Sequence, residues 1–382
     1  MKNRVYENGS LSEVVALFLR LGITSFGGPA AHIALMHEET VNRKKWINDD
    51  EFLDLLGATN LIPGPNSTEM AIHLSYKRAG WKGLILGGLS FILPAVIIVI
   101  ILASLYAKYN TLPQMGQLLY GIKPVIIAIV AQALWFLSQK AIKNKWDLLI
   151  ILPVILFYFL GINELILLVV GGLFMMVIKN IKQFQSPALG VFFLPIGISK
   201  ILGQQLEKVD LTTLFLIFLK IGSILYGSGY VLLAFSRSDF VVRLGWLTDT
   251  QLLDAIAIGQ ITPGPVFTTA TFIGYLLGNI PGAILATIGI FLPSFIFVAL
   301  SNPLIPKMRN SKVLAGMLDG LNAVSLGLMG AVTWQLGRNA LIDVYTFVLA
   351  GVSLFLLVKI KVNPSFLIIA GGLLGFLPNL FR

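Results

Sequence analysis

The feature that most restricts this chain is a set of apolar runs long enough to cross a lipid bilayer. Residues near 82–106, 117–138, 282–301 and 317–337 each approach the ~20 residues a helix needs to traverse a ~30 Å hydrocarbon core. The runs are continuous, whereas a barrel strand alternates over about ten residues, so they read as helices. Of the 382 residues, 12% are charged and 56% hydrophobic, against roughly 25% charged in a soluble domain. An all-α integral membrane protein, multi-pass and in contact with lipid, is the expected class.

The formal charge of +10 would point a soluble protein toward nucleic acid. Here Lys and Arg collect in short loops between spans, where they set orientation, so no nucleic-acid partner is expected. The absence of Cys removes disulfides, thiolate metal sites and thiol redox chemistry. His32, His37 and His73 are too scattered for a metal centre. No cofactor is expected, and an enzyme would need a nucleophile–base or metal constellation that the chain lacks. Met1–Ser10 carries charges of both signs and does not read as a cleavable signal.

The sequence repeats itself 200 positions later. Phe18, Leu19, Gly22 and Gly27 recur as Phe218, Leu219, Gly222 and Gly227, and Pro63-Gly64-Pro65 recurs as Pro263-Gly264-Pro265. After a one-residue deletion, Leu93-Pro94 and Trp135 meet Leu292-Pro293 and Trp334. Helix starts repeat too: Ser10 and Asp210 are expected N-caps, and Asn48/Glu51 and Thr248/Gln251 have capping-box spacing. The expected organisation is a first repeat over 1–182, an interfacial linker over 183–209 and a second repeat over 210–382.

Within each half, segment 49–77 (249–277) runs about 13 residues to Pro-Gly-Pro and restarts, so its first piece is too short to span. Counted as a re-entrant or broken pair, it leaves spans near 12–36, 82–106, 117–138, 147–160 and 164–179, five per half. An odd count inverts the second copy. The positive bias of Arg43, Lys44, Lys45, Lys77, Arg78 and Lys82 puts that side in the cytoplasm and is weaker in the second half. If Phe26-Gly27-Gly28-Pro29 also turns back, each half crosses four times and the copies become parallel.

Backbone breaks at membrane depth are tolerated where they are buried in protein or line a wet cavity. Gly27, Gly28 and Pro29, then Gly64 and Pro65, and in the second copy Gly227 and Gly264, would bring up to four helix N-termini to one place, each worth about half a positive charge. Such a site favours an anion, with Ser67, Thr68 and Thr268 as hydroxyl donors. The alternative is that these residues merely kink helices for packing.

Arg20, Lys220 and Lys123 lie inside apolar segments, where a charge costs roughly 2.5–3.5 kcal/mol and is paired, hydrated or functional. Arg20 and Lys220 are expected near the breaks, with snorkelling to the headgroups as the alternative. Among the acids Asp54, Asp254, Glu69 and Asp319, Glu69 is the best proton carrier because it lies one turn beyond Pro65. Asp54 and Asp254 are expected either to carry protons or to pair with Arg20 and Lys220. His32 and His73 read as structural.

These residues resemble the chromate ion transporter family in its long, two-domain form. The resemblance rests on Phe26-Gly27-Gly28-Pro29 with Ala31-His32-Ile33, Val41…Arg43…Trp46-Ile47, Pro63-Gly64-Pro65, and Gly80-Trp81-Lys82-Gly83 followed by Leu93-Pro94. It covers nearly the whole chain, with a degenerate second copy that includes Gly245-Trp246-Leu247. It implies export of chromate from the bacterial cytoplasm, with sulfate as isosteric competitor, protons as the energy source, and two domains of opposite orientation. The family often shows Gln where this chain has Glu69, and a carboxylate there repels a dianion unless protonated. The resulting expectation is an inverted-repeat secondary transporter in which one repeat rocks against the other, with an uncoupled anion channel as the rival. A homodimer is one assembly compatible with it.

Overall fold

The computed structural model describes residues 10–109, 112–142, 145–180, 209–226, 229–301 and 312–380, and among them the chain is helical with no strand. In the first half α1 (Leu11–Thr24) is followed by α2 (Gly28–His37), which continues as a π-turn over Glu38–Arg43. Next come α3 (Asp49–Thr59) and the 44-residue α4 (Asn66–Tyr109). Three further helices complete this half: α5 (Pro113–Ala141), α6 (Lys145–Phe159) and α7 (Glu164–Asn180). The second half repeats the order. It has α8 (Leu211–Ile224), a short α9 (Leu232–Ser236) with its own π-turn over Arg237–Arg243, α10 (Asp249–Ile261) and α11 (Thr269–Ser301). It closes with α12 (Lys312–Ala340), α13 (Val344–Phe355), α14 (Pro364–Leu374) and the single turn α15 (Leu377–Leu380).

Local chemistry explains why the helices start where they do. Both capping boxes form, Asn48 with Glu51 and Thr248 with Gln251. Asp210 caps α8 by accepting from Thr212 and Thr213, and the Thr213 hydroxyl, with these amides, holds its carboxyl below the usual carboxylate range. Ser10 precedes α1 without a side-chain cap bond. Its partner in the expected box, Glu13, is used elsewhere: it accepts from Lys44 (2.9 Å), Arg78 (2.9 Å) and Trp46 (3.4 Å).

Those three bonds correct the span count. Residues 12–36 are not one crossing; the chain bends at Ser25–Gly27, and Glu13 at the start of α1 meets Lys44 just past α2. Hydropathy measures the length of an apolar run and is blind to such a reversal. The next pair behaves alike. α3 enters, Pro63-Gly64-Pro65 turns, and the first part of α4 returns until Lys77 meets Glu51 and Arg78 meets Glu13. At Ala79 and Gly80 α4 breaks and its long second part sets out in the opposite direction. Each half therefore opens with two returning hairpins, so an odd number of crossings no longer argues for inversion, and the relative orientation rests on the contacts between the halves.

Contacts between the halves run in opposite directions. Gly88 of α4 lies against Phe295 of α11, and Leu84 clusters with Val298, so these repeat-related helices are antiparallel neighbours. The hairpins of the first half open at one end of the molecule, beside Glu13. Those of the second half open at the other, where Arg237 meets Tyr158 and Ser238 meets Glu164. Asn180 and Leu211 consequently lie at opposite ends, and the expected linker over 183–209 falls almost wholly outside the described residues.

The halves also interleave. α5 packs against α13 and α14, while α12 packs against α6 and α7. Glycines permit the approach: a side chain at Gly320 would run into Gly171 and Gly172, and one at Gly371 into Val125. The hairpins and the long parts of α4 and α11 form one body, and the six interleaved helices form another. Each repeat therefore contributes helices to both groups.

Among the described residues, four helices are long and apolar enough to cross a membrane. On α4 the exposed stripe Ile85, Leu89, Leu93, Ile97 and Ile101 recurs on α11 as Ile284, Ile288, Leu292, Ile296 and Leu300, a lipid-facing surface on both copies. Because the natural chain has no Cys, single cysteines replacing the exposed Asp50 and Thr250, at matched positions on α3 and α10, should react with an impermeant maleimide from opposite sides of a sealed vesicle. Reaction from the same side would overturn the opposed arrangement.

Candidate functional site

The breaks meet as two reciprocal pairs. The Gly64 amide donates to the Leu225 carbonyl (2.8 Å), and the Gly264 amide donates to the Ser25 carbonyl (2.9 Å). Each Pro-Gly-Pro tip thus satisfies the backbone that the other half frees at its first bend, which a bilayer requires. Gly64 and Gly264 have φ of 137° and 88°, a region that favours glycine. Added bulk at Gly264 would meet the Gly22 carbonyl at 3.2 Å. Two of the amides expected to face an anion are therefore already committed.

The pairs share a backbone plan and differ in chemistry. The pair at Ser25 and Gly264 is partly open. Phe26 is 41% exposed, Gly27 is exposed, and Gly28 and Pro29 at the N-terminus of α2 are half-buried. The Ser25 hydroxyl is buried without a partner, and His32 donates from Nε2 to the Ser25 carbonyl (3.1 Å), fixing the bend as a structural histidine. Free helix-terminal amides and a spare hydroxyl beside an opening suit an oxyanion.

The pair at Leu225 and Gly64 is closed and acidic. Glu69, fully buried, lies beside Gly64 with Ser294 and Tyr226 close by, and neither its carboxylate oxygens nor the Ser294 hydroxyl has a hydrogen-bond partner among the described residues. Pro65 caps the return helix by accepting from Thr68 and Glu69 amides. Ser67 is buried, as is Thr68, whose hydroxyl has no partner. In the second copy the Thr268 hydroxyl donates to the Pro265 carbonyl and is not available as a ligand donor. Gly227 lies outside the described residues.

The expected cations are placed elsewhere. Arg20 pairs with Glu39 (2.6 Å) and Lys220 with Asp239, in place of Asp54 and Asp254. Arg43 and Arg243 join the same acids at 3.0 and 2.8 Å, so each π-turn carries a matched three-residue ion cluster that braces its hairpin. Arg20 is directed into a groove lined by Glu13, Ala16, Leu17, Glu39, Arg43 and Lys44, none of them at a break. Its acid lies nineteen residues ahead in sequence, and only the fold-back unites them.

Lys123 lies 3.8 Å from Asp254, whose other oxygen accepts from Tyr106 (2.8 Å). This trio joins α5, α10 and α4, across the boundary between the two bodies and away from the tips. Asp54, the repeat partner of Asp254, is exposed. Asp319 pairs with Lys179 (2.6 Å) at the far end of α7. Sequence reasoning missed Ser25 and Ser294, since only the cross-half pairing brings them to the opposite tips. Glu39 and Asp239 had a legible signal in their matched positions.

Removing Lys123 strands a nearly buried carboxylate, a loss worth about 3 kcal/mol. Lys123→Ala should lower the melting temperature in detergent, and Asp254→Asn added to it should restore part of the loss. An unchanged melting temperature for Lys123→Ala would make the contact incidental.

A family model described as chromate transporter matches residues 12–176 and again residues 212–376. A chromate transport protein of Cupriavidus metallidurans is 31% identical over 369 residues, covering 96% of this chain and 92% of that relative. One from Pseudomonas aeruginosa is 30% identical over 389 residues, covering 97% of this chain and 93% of the relative. A shorter relative, an uncharacterized transporter of Bacillus subtilis, is 33% identical over 166 residues, covering 42% of this chain and 93% of its own. No solved structure matches the chain. A family model that fits each half in turn, with relatives alike along nearly the whole length, makes this chain a member of the chromate transporter family.

Proposed function

We propose that the chain, with repeats over 1–182 and 210–382 in opposed orientation, is a secondary transporter that exports chromate, or a related oxyanion such as sulfate, across the bacterial cytoplasmic membrane with proton coupling. The observation that carries this reading is the pairing of an open break rich in donors, at Ser25–Pro29, with a closed break holding one buried acid, Glu69. A dianion at the first and a carboxylate at the second repel through a low-dielectric interior, so protonating Glu69 and binding the anion favour each other.

The membrane potential supports the outward direction. A dianion leaving a negative interior gains about 4.6 kcal/mol per 100 mV, and one proton travelling with it returns about 2.3. Net export remains downhill. The ion clusters at Arg20 and Lys220 brace the hairpins while attracting anions toward each mouth.

Flux of labelled chromate and sulfate into proteoliposomes, with and without imposed pH and potential gradients, tests this. Chromate should move, accelerated by a potential positive on the destination side, and its binding should weaken as pH rises. Glu69→Gln should bind with no pH dependence and lose uphill transport driven by a pH gradient. Movement of neither ion in a well-inserted preparation ends the substrate proposal. Flux that no gradient drives uphill makes the protein a channel.

A further inference from the structure

Matched positions in the two hairpins differ in one consistent way. Leu253 on α10 is 1% exposed while Leu53 on α3 is 61% exposed, and Phe235 is 2% exposed against 38% for Leu35. Asp254 and Gln260 are buried whereas Asp54 and Asn60 are exposed, along the same helix face. On α10 the interleaved body covers this face: Lys123 of α5 reaches Asp254, Asn339 of α12 donates to Asp249 (3.0 Å), and Ser365 of α14 donates to the Gln260 carbonyl (3.3 Å). No equivalent cover lies over α3 among the described residues.

We infer, resting on the carrier reading but not on the identity of the ion, that the uncovered face of α3 is a docking surface for α12 and α7, occupied when the molecule opens toward its other end. Repeat equivalence names the partners. Asn322 on α12 stands where Lys123 stands on α5, and Leu165 on α7 stands where Ser365 stands on α14. Lipid does not suit the face: an amide at the inner end of α3 and a carboxylate one turn and a half from its start would each be costly in hydrocarbon. In this reading the face is open to water in the present state, since Leu53, Asp54 and Asn60 are exposed.

The two docked states are unequal. Docking at α10 sets Asp254 against the cation of Lys123, whereas docking at α3 sets Asp54 against the neutral amide of Asn322. The side beside Glu13 is therefore the open one at rest, and exchanging the two residues moves the balance.

Leu53→Cys and Leu253→Cys, each the only cysteine in its chain, report the two faces by their rates with a water-soluble maleimide in proteoliposomes. Cys at 53 should react quickly from the side of Asp50, and Cys at 253 slowly from the side of Thr250. Lys123→Asn with Asn322→Lys should raise the rate at 253 about tenfold and never raise the rate at 53. Asn322→Lys alone keeps the native Lys123 and should move both rates the same way by less. The inference is overturned if 253 is unaffected in both variants, if 53 reacts solely with a lipid-soluble reagent, or if two chains cross-link through 53, which would assign the face to a second copy. The labelling needs no substrate, so it stands or falls separately from chromate flux.

Discussion

An unpaired peptide group in hydrocarbon costs several kcal/mol, and among the described residues α1, α3, α8 and α10 each stop at a break. Each half cannot satisfy its own. The Ser25 carbonyl waits for Gly264, and the Leu225 carbonyl for Gly64, so the two copies are completed by one another at the depth where a substrate would cross. That requirement sets the positive φ at both tip glycines, the antiparallel meeting of α4 with α11, and the burial of both Pro-Gly-Pro turns.

Symmetry of backbone is combined with asymmetry of side chains. Ser25 faces Leu225 across the repeat, Glu69 faces Thr269, and Ser294 faces Ala95. One pair keeps donors and an opening, and the other keeps an acid and no opening. The same division appears farther out, where Lys123 has only Asn322 as its counterpart. Duplication supplied two similar scaffolds, and the differences between them set one break apart from the other.

Much of this was legible in the residues. The 200-residue period, the two capping boxes and the breaks at Phe26–Pro29, Pro63–Pro65 and Pro263–Pro265 are matters of spacing and turn chemistry, and the structure displays each. Hidden was anything that depends on direction. An apolar stretch from 12 to 36 has the same hydropathy whether it crosses or doubles back, so the residues left both readings open. The pairing of Arg20 with Glu39 was hidden with it, since a straight helix would separate them. Interleaving was equally invisible, because a helix that faces lipid and one that faces α13 need the same Leu, Ile and Val.

The exchange of helices between the copies bears on how the chain matures. α5 is made well before the helices that cover it, α13 and α14. The first copy must wait in the bilayer with one flank unclosed until those helices of the second copy are made. Native packing of the two copies is thus concerted rather than domain by domain.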